Sequence, residues 1–250
     1  MDYCVEKINK MMYFFITIIR GIKKMILELI FKASFFVQLI MIVLLFLSCY
    51  SIYIIIESNK KINRVCKELD VFEAVKSNNK ENMIGTLYTF VGRFKRSNLG
   101  RIFSEPLEVV EKSGLIKVND LSDNKVDRAI DVFESISNKN IELEKNKGEE
   151  NIKILATISS VAPYIGLMGT VIGIMNSFMA ITEMKSVGLE YLAPSIAEAL
   201  IVTAMGLFVA IPSNIFFNKL MFRIEYVEEF YKDIKNNISS TLKKKHIVGE

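Results

Sequence analysis

Ile196-Ala197-Glu198-Ala199-Leu200-Ile201-Val202-Thr203-Ala204-Met205-Gly206-Leu207-Phe208-Val209-Ala210-Ile211-Pro212 is the stretch that decides the fold. From Tyr191 to Asn218 the chain carries a single charged residue, Glu198. A bilayer core of about 30 Å needs roughly 20 apolar residues of helix, so the stretch reads as a transmembrane span. A lone carboxylate inside such a span is costly, and by default it marks an ion or proton path.

Two further stretches have the same character. Ala33 to Ile56 lies between Lys32 and Glu57, and Ile154 to Thr182 lies between Lys153 and Glu183. The second is longer than a span requires, so its first turns project into water or the helix tilts. The 250 residues are 51% hydrophobic and yet 24% charged, which requires apolar and charged residues to be segregated along the chain. The fold class expected is therefore an all-α membrane protein with three transmembrane helices and long cytoplasmic helical extensions. Its segments are an N-terminal extracytoplasmic or interfacial piece (1–32), span one (33–56), a cytoplasmic helical domain (57–153), span two (154–182), a short periplasmic loop (183–195), span three (196–217) and a cytoplasmic C-terminal helix and tail (218–250).

Orientation follows the basic residues near the span ends. Lys60, Lys61, Arg64 and Lys67 follow span one, Lys145, Lys147 and Lys153 precede span two, and Lys219 and Arg223 follow span three, whereas only Lys185 lies between spans two and three. These flanks put 57–153 and the C-terminus in the cytoplasm and the N-terminus outside. The N-terminal flank disagrees, because Lys7, Lys10, Arg20, Lys23, Lys24 and Lys32 would all be outside. Met11 to Ile19 has the length of a signal-peptide core, but the residues after it offer no small-x-small cleavage site. Either that segment is an interfacial helix, or translation starts at Met25, which removes all of those charges except Lys32.

In the cytoplasmic segment acids and bases nearly balance, so it has no basic footprint for nucleic acid. Ser122 is placed to cap a helix, Val126, Ile130 and Phe133 recur at helical spacing, and no proline follows until Pro163. One long helix is expected to rise directly into span two. Glu57 to Ala74 is expected to extend span one, and Gly85, Gly92, Gly100 and Pro106 to mark breaks between shorter helices.

Projected as a helix, span two gathers Ser159, Gly166, Thr170, Gly173 and Ser177 into a narrow arc, with Ala162, Pro163 and Gly169 beside it. Span three groups Ser195, Glu198, Ala199, Thr203, Gly206, Ala210 and Ser213, with Leu200, Ile201, Leu207, Phe208 and Ile211 opposite. Small residues let membrane helices approach closely. The plain alternative to a proton path is that both faces only pack. Glu198 would then be a protonated carboxyl bonded to a neighbouring helix, and the two threonines would bond back to their own helices. Pro163 and Pro212 would be simple kinks. Gly166, Gly169 and Gly173 do not form a dinucleotide loop, since no strand precedes them and the spacing differs.

The segments Ala162-Pro163-Tyr164-Ile165-Gly166-Leu167-Met168-Gly169-Thr170-Val171 and Ile196 to Pro212 resemble the signature segments of the TolQ/ExbB/MotA family of proton-driven membrane motors. Lys32-Ala33-Ser34 and Leu39-Ile40-Met41 look nearer to the TolQ branch than to ExbB. The likeness covers the three spans well, the cytoplasmic segment loosely, and starts near Met25. It implies a homopentamer in the bacterial inner membrane whose pore encloses a pair of TolR-like partners, each with one transmembrane helix and an intramembrane Asp. Proton flow would move those helices, and a TolA-like protein would carry force to Pal at the outer membrane. Matched motif by motif, Glu198, Thr170 and Thr203 form the proton pathway. Ser159, Pro163, Gly166, Gly169, Gly173, Ser177, Ala199, Gly206 and Ala210 are assigned to the packing and pore face. Met168 and Ile172 depart from the aromatic residues frequent in the family.

An ExbB-like energiser of nutrient uptake shares these features and is the alternative. A flagellar stator fits less well, with three spans visible instead of four. No catalytic role and no cofactor are expected: His246 lies in a basic tail ending in Lys243-Lys244-Lys245, and Cys4, Cys49 and Cys66 form no close pair. The bilayer is an expected partner; nucleic acid is not.

Overall fold

The computed structural model describes residues 34–78, 85, 89, 91–92, 97–112, 123–183 and 189–247. The expected N-terminal piece 1–32, with its alternative start at Met25, lies outside the described residues, as do Ser122 and Lys185. Among the described residues four helices follow one another: α1 (Phe35–Asn78), α2 (Asn98–Lys112), α3 (Asp123–Glu183) and α4 (Leu189–Ile247). Among the described residues there is no strand. α1, α3 and α4 are each long and apolar enough to cross a membrane.

α3 is one helix of 61 residues that runs through Pro163, and α1 continues past Glu57 without a break. α4 begins at Leu189, so the final residues of the expected periplasmic loop, Pro194 among them, are already helical. By its contacts the chain divides into two compact units, Met1–Ser51 with Thr157–Ser213 and Ile52–Ala156 with Asn214–Glu250.

The second unit has an aliphatic and aromatic core. Leu69 and Phe72 of α1, Leu99, Ile102, Phe103, Leu107 and Val110 of α2, Val126, Ile130, Phe133 and Ile141 of α3, and Ile234, Ile238 and Leu242 of α4 are buried together. The buried positions of α2 recur at three- and four-residue intervals, which gives this short helix one apolar face to dock.

Gly100 and Pro106 do not break the chain: both lie inside α2. The break falls just before it, where the Ser97 Oγ accepts the Gly100 amide at 2.9 Å and the Glu68 carboxylate, reaching from α1, accepts the amides of Asn98 and Leu99 at 3.1 and 2.9 Å. Three amides that a helix start leaves without partners are satisfied there. Pro106 has no N–H to give to the carbonyl four residues back, that of Ile102. Asn140 of α3 fills the gap, its Nδ2 donating to the Ile102 carbonyl at 3.1 Å. Asn140→Leu is expected to lower stability by about 1–3 kcal/mol because a buried carbonyl loses its donor. Adding Pro106→Ala restores a backbone donor, so thermal melts of the single and double variants should differ by less than the sum of their separate effects.

A charge network links α3 and α4. Lys145 Nζ lies 2.8 Å from Glu228, and Lys232 reaches the same carboxylate at 2.7 Å. Burial pushes the Glu228 carboxyl up, but the hydrogen bonds from Lys145 and Lys232 outweigh it and hold it below the usual carboxylate range. Glu228 in turn raises the Lys145 ammonium. A carboxyl depressed on folding stabilises the protein above its unfolded value and ceases to do so as pH falls through the folded one. The melting midpoint is therefore expected to drop below about pH 4.5, the ordinary value of the group. Lys145→Met should flatten that part of the profile relative to wild type.

In the first unit Val37, Ile40, Met41 and Leu44 of α1 are buried with the small-residue faces of α3 and α4. Phe35, Phe46, Tyr164, Val171, Phe178, Leu200 and Ile211 are exposed. Apolar side chains exposed on this scale mark a surface that meets lipid or protein.

Candidate functional site

The two small-residue faces meet in the first unit. A Cβ built on Gly206 would stand 2.7 Å from the Ala162 carbonyl oxygen and 3.1 Å from the Gly166 Cα, and one on Gly166 would stand 3.0 Å from the Val202 carbonyl oxygen. On Gly173 it would meet the Ala199 Cβ at 2.7 Å, and on Gly169 the Val202 Cγ1 at 2.5 Å. At Gly206 and Gly166 backbone approaches backbone, and at Gly173 and Gly169 a neighbouring side chain occupies the space a Cβ would need, so glycine is what permits the contact at all four. Gly169 and Gly173 also face Ile40 and Val37, so α1 closes the same cluster.

Close approach brings the hydroxyls together. Thr203 Oγ1 donates across to the Gly166 carbonyl at 3.1 Å and lies 3.3 Å from Thr170 Oγ1. Thr170, buried, donates back to the Leu167 carbonyl of its own helix at 2.7 Å. Of the two threonines, one bonds within its helix and the other across to its neighbour.

Glu198 stands five residues before Thr203, about 7.5 Å along the axis of α4. Its side chain is partly exposed and lines a cleft of about 150 Å³ with Ser34, Val37, Gly173, Asn176, Ser177 and Ser195. Ser177, buried, bonds to the Gly173 carbonyl at 2.9 Å and lies 3.0 Å from Ser195 Oγ; Asn176 Nδ2 reaches Ser34 Oγ at 3.4 Å. The acid is thus surrounded by side chains that can hydrogen-bond to it or to water, inside a stretch of chain that is otherwise apolar. Such a constellation can hold and hand on a proton, since four of the residues that share the cleft, Ser34, Asn176, Ser177 and Ser195, carry a hydroxyl or an amide.

Of the residues named from the sequence, Gly166, Gly169, Thr170, Gly173, Ser177, Ala199, Gly206 and Ala210 are buried, and Ser159, Pro163, Glu198 and Thr203 are partly exposed. Ser34 and Asn176 were not singled out from sequence. Asn176 gave a signal: it is an amide within an uncharged span, three residues after Gly173 on the small face. Ser34 gave none, because its neighbours come from another helix.

The sequence model described as the MotA/TolQ/ExbB proton channel family matches residues 96–233. The Tol-Pal system protein TolQ of Haemophilus influenzae is 34% identical over 230 residues, spanning 86% of this chain and 92% of that protein. TolQ of Pseudomonas aeruginosa is 32% identical over 221 residues, with 87% and 92% covered. The biopolymer transport protein ExbB of Pseudomonas putida is 54% identical, but over 65 residues, which are 26% of this chain and 20% of that protein.

Proposed function

The chain belongs to the MotA/TolQ/ExbB proton channel family, and from that premise we propose that it is a TolQ-like subunit of an inner-membrane motor that energises the Tol-Pal system. One observation carries the assignment within the family. Similarity to TolQ runs along 86% of the chain, whereas similarity to ExbB of Pseudomonas putida stays within 26% of it. The family is one of proton channels and not of enzymes, and the three apolar helices suit an inner-membrane protein.

In this reading five copies enclose the single transmembrane helices of a TolR-like pair. Glu198, with Thr170 and Thr203 nearby, forms this chain's part of the path for protons to and from the partner's aspartate. Proton flow moves the partner helices, and a TolA-like protein transmits the force, which serves outer-membrane integrity and constriction at division. The N-terminus lies outside and the C-terminus in the cytoplasm. The cleft beside Glu198 supports the reading, because a carboxyl meant only to seal two helices together has no need of a polar opening lined by four further hydrogen-bonding side chains.

Extraction from the native membrane in mild detergent, purification through this chain and mass spectrometry of the co-purified proteins tests the proposal. Recovery of a TolR-type partner with one span and an intramembrane Asp, together with TolA, is expected. Recovery of an ExbD-type partner with TonB would move the function to nutrient uptake, and recovery of this chain alone would leave the glycine faces as packing surfaces only.

A further inference from the structure

Resting on the motor reading, we propose that this chain supplies one half of a proton path. Glu198 is loaded through its cleft from the end of the first unit at which α1 begins and α3 ends. The seam between α3 and α4 is closed towards the other end, so another chain completes the second half.

The four polar neighbours in the cleft lie towards one end of the unit. Ser195 precedes Glu198 by three residues, about 4.5 Å along α4. Ser177 of α3 stands level with Ser195, the two Oγ atoms 3.0 Å apart. Asn176 reaches Ser34, which immediately precedes α1, and it lies seven residues before Glu183, where α3 ends. The cleft thus opens within about 10 Å of that end of α3, which is extracytoplasmic in the proposed orientation.

The two serine hydroxyls each have a choice of partner. Ser177 Oγ lies 2.9 Å from the Gly173 carbonyl as well as 3.0 Å from Ser195 Oγ, and Ser195 Oγ lies 3.1 Å from the Leu192 carbonyl. A serine donates one proton and accepts on two lone pairs, so each can take up a proton on one side while giving one up on the other. A hydronium ion entering the cleft leaves as water, and its proton ends on the Glu198 carboxylate.

Towards the other end the polar groups run out. Beyond Glu198 come Thr170 and Thr203, 3.3 Å apart. After them residues 204–212 of α4 contain no polar side chain, and in 161–169 of α3 there is only Tyr164, which is 71% exposed. The next serines, Ser213 and Ser160, are each ten residues away, or about 15 Å, against a hydrogen-bond reach of about 3 Å. At Gly206 there is no room for water to bridge the gap: a Cβ there would overlap the Ala162 carbonyl oxygen at 2.7 Å, and a water needs about as much space as a methyl group. Ala162 is 0% and Ala210 6% exposed, and the buried Ser213 hydroxyl is taken by the Val209 carbonyl of its own helix at 2.8 Å. A proton on Glu198 therefore goes on to a group that another chain brings alongside. Glu198 and Thr203, both partly exposed, are where that group meets this one.

Thiol labelling of the intact complex in native membranes tests this, with a charged, membrane-impermeant methanethiosulfonate added to spheroplasts or to inverted vesicles. Ser195→Cys, Asn176→Cys and Ser213→Cys are compared, and mass spectrometry of peptides reads each site separately, so Cys49 and Cys66 stay in place. Ser195→Cys and Asn176→Cys are expected to react on the order of tenfold faster in spheroplasts than in inverted vesicles, and Ser213→Cys to remain unlabelled in both, because thiol reactivity follows access to water. Co-purification of the partner subunits establishes assembly, and if Ser195→Cys does not assemble, Asn176→Cys carries the comparison. Labelling of Ser213→Cys in inverted vesicles as fast as Ser195→Cys in spheroplasts would overturn the closed half. Protection of both cleft cysteines in spheroplasts would overturn the entrance. Glu198→Gln separates these results from the motor reading: unaltered envelope integrity in that variant, with Ser195→Cys still labelled, would sink the motor and the proton role together and leave only a wet cleft. Lost integrity with both cleft cysteines protected would sink the entrance alone.

Discussion

Glu198→Ala is expected to reduce the proton-driven work of the complex roughly a hundredfold or more, the scale of losing a group that transfers protons, while the complex still assembles. A buried-span carboxyl is retained against its desolvation cost when something uses it. Here it opens onto a cleft with Ser34, Asn176, Ser177 and Ser195 instead of being sealed between apolar side chains. Glu198→Gln separates the two possible uses. Glutamine keeps the shape and the hydrogen bonds but cannot release a proton at neutral pH, so it should fail as completely as alanine if protons pass through this position. The readouts are leakage of periplasmic proteins as a measure of envelope integrity, and recovery of the partner subunits through this chain as a measure of assembly. Wild-type integrity in Glu198→Gln would remove the acid from the pathway. Loss of assembly in both variants would make the residue a packing group.

Gly206→Ala should be the most damaging single-methyl change in the first unit. The added Cβ would lie 2.7 Å from the Ala162 carbonyl oxygen and 3.1 Å from the Gly166 Cα, and neither is a flexible side chain that can swing aside. The helices would have to part, and the Thr203 bond to the Gly166 carbonyl would stretch with them. Overpacking of this kind costs about 1–3 kcal/mol. Two glycines serve as controls for the intrinsic effect of the substitution. Gly148 would meet only the Ile224 side chain, closest at its free end, Cδ1, at 3.3 Å, and Gly92 would meet nothing within 4 Å. Alanine at those helical positions should be neutral or stabilising by up to about 1 kcal/mol. Melting of the three variants in detergent gives the comparison. Equal midpoints for Gly206→Ala and Gly148→Ala would show that the backbone contact between α3 and α4 contributes nothing to stability.

The sequence by itself determined the all-helical class, the three apolar helices, the small-residue faces and the prominence of Glu198. The reason is local: a bilayer fixes the length of a span, a helix repeats every 3.6 residues, and both constraints can be read from consecutive positions. Val126, Ile130 and Phe133 could be read as one buried face for the same reason, and all three are buried. Tertiary structure decided what those faces touch. Pro106 looked like a break because its missing N–H is visible in the sequence, while the amide that replaces it belongs to Asn140, in another helix. Gly100, expected to mark a break between helices, sits in a first helical turn tied down by Ser97 and by Glu68 of α1. Likewise no spacing rule joins Ser34 to Asn176, or distinguishes Thr170, which bonds back to its own helix, from Thr203, which bonds to the Gly166 carbonyl. Hydrogen bonds and backbone contacts between helices depend on how the chain folds back on itself, and periodicity along one helix does not encode which residue of another will stand opposite.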